Sequence, residues 1–188
     1  MKKAISTITI CSALCTAVCF CFYKVLENEA ILAALITCWT TTYHFLMRMA
    51  VGFVFDRAMN NKADVTKKWY QSRTWEKKFY EKLHVKRWKD FLPTYDTNLF
   101  DHTKHSWDEI AQASCQAEIV HETIVLLSFV PIGFSIWFGT TMVFIITSVL
   151  AALFDLTFVM IQRYNRPRIL KLIGRLEGNI AQDEKNKI

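Results

Sequence analysis

Four long apolar runs set the limits on what this chain can fold into. They cover residues 4–23, 30–55, 119–138 and 140–161. Each is about 20 residues or longer, enough for a helix rising about 1.5 Å per residue to cross a hydrocarbon core of roughly 30 Å. The chain is 52% hydrophobic yet carries a formal charge of +6, and that charge is segregated between the runs rather than spread as in a soluble domain. The expectation is one all-α integral membrane domain of four transmembrane helices. A basic cytoplasmic segment fills residues 56–116 and a cytoplasmic tail residues 162–188.

The first run follows Lys2 and Lys3, as a cleaved signal peptide would. Its apolar stretch is longer than a usual signal core, and no A-x-A site follows. "TAVC" and "SALC" carry Val18 and Leu14 where a lipobox wants a small residue. A retained helix is the reading. The connection at residues 24–29 has one Lys and two Glu and the turn at residues 138–140 has no charge, whereas residues 56–116 and both termini are basic. The positive-inside rule then places both termini and the long segment in the cytoplasm of a multi-pass cell-membrane protein.

Cys11, Cys15 and Cys19 recur at helical spacing in the first run, with Cys21 beside them and Cys38 in the second. No C-x-x-C pair marks zinc or redox work, so packing between helices is their expected role. From Asp64 to Leu92, Val65, Trp69, Tyr70, Trp75, Phe79, Tyr80, Leu83 and Trp88 alternate with Lys67, Lys68, Lys77, Lys78 and Lys82. This is the pattern of an amphipathic helix in the membrane interface, rings at headgroup level and ammoniums toward lipid phosphates. The flanking spans favour lipid over nucleic acid for the same mixture. Pro93 ends the region and residues 95–107 read as a loop. Ser106, with Glu109 three residues on, caps the next helix. His102 and His105 have chelating spacing but no further ligand nearby, and structural zinc wants four.

Ionisable residues inside apolar spans are costly, so each is a candidate for function. Here they are His44 and Arg48 in the second run, Glu118, His121 and Glu122 entering the third, and Asp155 in the fourth. Counted from the basic flanks, all fall in the cytoplasmic half of a four-helix bundle. Glu118 stands three residues before His121 and four before Glu122, so the three share one side of a helix. A carboxylate one turn from an imidazole can hold its tautomer for general base work. Arg48 has Asp155 or Glu122 as a partner, and the bland reading of Arg48 and Asp155 is a structural ion pair. A diiron site needs a second Glu-x-x-His helix and is set aside. An intramembrane metalloprotease built on His44, His121 and Asp155 lacks H-E-x-x-H and stays a minor alternative, so no metal is assigned.

Three strings together narrow the function: "VKRWKDFLP" from Val85, "CQAEIVHE" from Cys115 and "QRYNRPR" from Gln162. In this order and spacing the chain resembles the glycosyl-diaponeurosporenoate acyltransferase family, which completes staphyloxanthin-type carotenoids. The resemblance runs from about Tyr80 to Leu172. The family pattern has a basic residue before the Ala-Glu pair and an aromatic after the His, where this chain has Gln116 and Glu122. The resemblance implies a small membrane enzyme placing a fatty acyl chain on a hydroxyl of a glycolipid or carotenoid-like acceptor. Its partners would be membrane lipids, acyl donor and acceptor, with no nucleic acid.

Acyl transfer needs a base, an oxyanion stabiliser and a hold on the donor. The chemistry of the residues puts His121 forward as base, oriented by Glu118 or Glu122. The co-substrate is an acyl thioester such as acyl-CoA. Arg163, Arg166 and Arg168, with Tyr164 and Asn165 among them, are placed to receive its phosphates, and guanidinium forks suit that role. Lys86, Arg87, Trp88, Lys89 and Asp90 form a second substrate-binding string, and His44, Arg48 and Asp155 a third group. Pro167 is expected to stop the helix and turn the arginines back toward the site. Cys115, one turn before Glu118, is a packing residue unless a lowered pKa makes it a nucleophile. The competing class is a non-catalytic scaffold or small transporter whose charges line a pathway.

Overall fold

A computed structural model describes residues 2–88 and 98–185. The described residues form helices joined by turns. These are α1 (Lys2–Leu26), α2 (Glu29–Met59), α3 (Thr74–Lys82), α4 (Val85–Trp88), α5 (Trp107–Leu127), α6 (Ser135–Phe138) and α7 (Thr141–Lys185). Single 3-10 turns occur at Lys68–Tyr70, Asn98–Phe100 and Val130–Phe134. Among the described residues, four helical stretches are long and apolar enough to cross a membrane: Ala4–Leu26, Glu29–Met59, Trp107–Phe138 and Thr141–Asn179. A helix satisfies its own backbone hydrogen bonds, which is why such sequences cross lipid in this form. The chain is an all-helical membrane protein.

Two compact units divide it. One is residues 1–57 with 120–157, the other residues 58–119 with 158–188. In the first, Met47, Val51 and Ile124 form a buried cluster packed by Tyr43, Phe55, Val120 and Leu127. The Tyr43 hydroxyl donates to the Leu127 carbonyl at 2.9 Å, which ties α2 to α5. Trp39 of α2 meets the rings of Phe134 and Phe144 edge-on at 5.2 and 6.4 Å. Helices α1 and α2 meet through hydroxyls: Thr42 donates to Ser12 at 3.1 Å and lies 3.3 Å from Thr16. Cys11 and Cys15 are exposed instead of packed, since the contact face of α1 is the one carrying Ser12 and Thr16.

In the second unit Tyr70, Tyr80, Val85, Ile110, Ala111 and Cys115 are buried. Asn60 and Asn61 take left-handed backbone after α2, a conformation asparagine tolerates well. The amide of Asn61 then donates to the Gln116 side chain at 2.7 Å. A basic residue at position 116 would lack that acceptor. The capping box holds as expected: Ser106 N–H donates to Glu109 at 2.9 Å and Glu109 N–H to the Ser106 hydroxyl at 3.2 Å.

Three elements differ from expectation. The interfacial segment is broken into a 3-10 turn, α3 and α4 rather than one helix, with Trp69, Trp75 and Phe79 exposed and Tyr70 and Tyr80 inward. The third span changes to 3-10 geometry at Pro131, whose missing N–H interrupts the α-helical ladder. And α7 does not stop at Pro167; it continues helical to Lys185. The expected end of the region at Pro93 and the start of the loop at Tyr95 lie outside the described residues.

Candidate functional site

The first unit holds a buried triplet. Asp155 of α7 is 1% exposed and accepts from two directions. Nδ1 of His121 on α5 lies 2.9 Å from its Oδ1, and a guanidinium nitrogen of Arg48 on α2 pairs with its Oδ2. A carboxylate can only accept, so the His121 proton sits on Nδ1 and the ring's lone pair on Nε2. Arg48 is fixed further by donating to the carbonyls of His44 at 3.1 Å and Ala151 at 3.3 Å. With His121 neutral, the triplet carries no net charge. The carboxylate on His121 Nδ1 is therefore Asp155, where helical spacing alone pointed to Glu118. Glu122 is half-buried on the same helix. His44 is buried, with neither ring nitrogen hydrogen-bonded to any described residue.

In the second unit Arg163 and Arg166, expected in a phosphate clamp, are paired with carboxylates. Arg163 forks onto Glu76, Nε to Oε2 at 3.0 Å and Nη2 to Oε1 at 2.9 Å, and gives Nη1 to Glu118 Oε1 at 2.6 Å. Arg166 pairs with Glu118 Oε2 and donates to the carbonyls of Tyr70 at 2.9 Å and Ser114 at 3.1 Å. Two carboxylates thus neutralise two guanidiniums in a largely buried quartet. Arg163 and Arg166 meet Glu118 together because they stand three residues apart on continuous helix, which a stop at Pro167 would not disturb but a stop before it would. Glu76 escaped the sequence reading. Its signal was being the acid one turn before Tyr80, on the buried side of a helix otherwise rich in exposed lysines.

Beside this quartet lies a cavity of about 210 Å³ lined by Tyr80, Glu81, His84, Lys86, Arg87 and Tyr164. Burial and the Glu76 carboxylate push the Tyr80 phenol up to about 12, so it remains a hydroxyl. His84 holds a left-handed backbone (φ 54°), the turn that separates α3 from α4 and aims Lys86 and Arg87. Arg168 is exposed, with its guanidinium 3.9 Å from the Tyr164 ring centre. Asn165 and Trp88 are half-buried, and Lys89 and Asp90 lie outside the described residues. Cys115 is fully buried, the setting of a packing residue. Among the described residues no three His, Cys, Asp or Glu side chains converge as a metal-ligand set.

The glycosyl-4,4'-diaponeurosporenoate acyltransferase family matches residues 66–175, more than half of the chain. The chain belongs to that family. No curated protein and no solved structure matches it. The segment matched to the glycosyl-4,4'-diaponeurosporenoate acyltransferase family contains His121, Asp155, the arginine–glutamate quartet and the cavity, while His44 and Arg48 precede it.

Proposed function

We propose that this membrane acyltransferase is an O-acyltransferase. It moves a fatty acyl chain from a thioester such as acyl-CoA to a hydroxyl of a glycolipid, carotenoid-like or other lipid-like acceptor. The observation that carries the reading is the Asp155–His121 pair at 2.9 Å, at a position the acyltransferase family match covers. His121 Nε2 takes the acceptor's hydroxyl proton as the oxygen attacks the thioester carbonyl carbon. The tetrahedral intermediate collapses with loss of the C–S bond, and the departing sulfur takes the proton back from His121. Asp155 holds the imidazole tautomer and offsets the charge of the imidazolium, as the carboxylate does in other acyl-transfer sites.

The donor's phosphates go to the cations that no carboxylate has taken up in the quartet: Lys86 and Arg87 at the cavity, and Arg168 on Tyr164. Arg163 and Arg166 support that surface without touching the donor. The test uses purified protein in nanodiscs with acyl-CoA and a glycosylated polyene. Acylated product from wild type and its loss in His121→Ala, with the variant still folded, is the expected outcome. Turnover by His121→Ala at the wild-type rate removes the base assignment, and no product from wild type removes the transfer reading.

A further inference from the structure

Acyl transfer through a tetrahedral intermediate also needs a group to receive the negative charge on the carbonyl oxygen. The first unit contains candidate donors between α2 and α7. These two helices run side by side in the same direction: Trp39 meets Phe144, and nine residues along α2, Arg48 meets Ala151 and Asp155. Both pairings hold an offset that brings His44, one turn before Arg48, level with Ser148, one turn before Ala151 and Ala152. His44 is 5% exposed and Ser148 is fully buried. Neither His44 nitrogen, nor Ser148 Oγ, nor Nε of Arg48 has a hydrogen-bond partner among the described residues.

Such groups are expensive to bury unsatisfied, at about 1–3 kcal/mol each. The contrast with neighbouring hydroxyls is sharp. Thr147 bonds back to the Val143 carbonyl at 2.8 Å and Ser128 to that of Ile124 at 2.8 Å, the usual way a helix quiets a buried hydroxyl. Ser148 does not. Three side chains from two helices thus keep N–H or O–H donors unused, His44 level with Ser148 and Arg48 one turn on, where it meets the carboxylate bonded to His121.

We propose that Ser148, His44 and Arg48 Nε form the oxyanion site, donating to the thioester carbonyl oxygen as it gains charge in the tetrahedral intermediate. No proton moves at these groups; they stabilise the oxyanion and release it when the C–S bond breaks. Preorganised donors in a water-poor site are suited to this, and removing one costs about 100-fold or more in kcat. This inference rests on the acyl-transfer reading and names the residues that the reading leaves open.

The test pairs turnover with a readout that needs none. Ser148→Ala removes one oxygen and requires no repacking; His44→Phe keeps a ring. In nanodiscs, each is expected to lower kcat about 100-fold with donor KM within about twofold, and with the pH–rate profile unmoved. Binding of a long-chain alkyl trifluoromethyl ketone, whose hydrated form mimics the tetrahedral intermediate, is followed by fluorine NMR. It is expected to weaken in both variants and to persist in Arg168→Ala. Wild-type kcat in Ser148→Ala, or unchanged ketone binding in both variants, overturns the assignment. Ketone binding lost in both variants, with no acyl product from wild type, upholds the donor site and instead removes the transfer reading.

Discussion

Asp155 accepts from two residues of opposite duty, and that decides how substitutions near it will act. Its bond to Nδ1 fixes which nitrogen of His121 carries the proton; its pairing with Arg48 keeps a charged group tolerable inside an apolar unit. Asp155→Asn keeps the shape but offers an amide where a carboxylate oriented the ring, and it also leaves Arg48 without its counter-charge, so kcat is read on the folded fraction. The expected result is a fall in kcat of about 10²–10⁴-fold with donor KM little changed, measured by steady-state acyl transfer. Glu118 should behave otherwise. Both its oxygens are held by arginines, so Glu118→Gln leaves buried guanidinium charge uncompensated. It should destabilise the protein by about 3–5 kcal/mol in thermal or denaturant unfolding. The surviving folded fraction should keep the wild-type pH–rate profile, whereas an orienting role for Glu118 would shift it. The identities of these residues were legible in sequence because ionisable groups stand out in apolar runs. Their pairing was not: helical spacing offers His121 a carboxylate one turn away on its own helix, and only the packing of α7 supplies a better placed one. Glu76 was missed for a related reason, since an acid among lysines reads as solvated until its helix is seen to bury it.

At the scale of elements, hydropathy and length marked the four spans well, because the bilayer imposes a length and lipid-facing side chains must be apolar. Charge marked their ends poorly. The apolar run ends at Ile161 and Pro167 is expected to stop the helix, yet α7 runs on to Lys185, with Arg163 and Arg166 reaching one glutamate from helical spacing before that proline. Pro167 sits within that helix, exposed and one residue past Arg166. Proline in a helix interior is about 3 kcal/mol less favourable than alanine. If Pro167 has no role in aiming the arginines, Pro167→Ala should raise the melting temperature and leave acyl transfer unchanged; a loss of activity would restore to it the bending role read from sequence. Helix α4 supplies the complementary case. Lys86 and Arg87 line the cavity on a turn set by His84, so Arg87→Ala should raise donor KM several-fold with little change in kcat, as expected for uniform phosphate binding. Added salt should weaken that difference, since exposed charge contacts are screened.

Taken whole, the chain puts its basic residues where they also report its orientation. Residues 56–116 are rich in lysine and arginine between the second and third spans, while the short connections at residues 24–29 and 138–140 have a single lysine between them. Exposed Trp69, Trp75 and Phe79 lie among exposed Lys67, Lys68, Lys77, Lys78 and Lys82, the composition of a surface that meets headgroups. The positive-inside rule predicts that this surface and both termini face the cytoplasm, which is also where a water-soluble thioester donor would be met. Lys67→Cys tests it. Position 67 is exposed and outside every span, whereas Cys11, Cys15, Cys19, Cys21 and Cys38 sit in the first two spans and Cys115 is buried, so native thiols should give little background with a membrane-impermeant maleimide. Inverted vesicles should label at the introduced thiol and sealed right-side-out vesicles only after permeabilisation. Labelling of intact right-side-out vesicles would reverse the orientation and separate the cavity from a cytoplasmic donor.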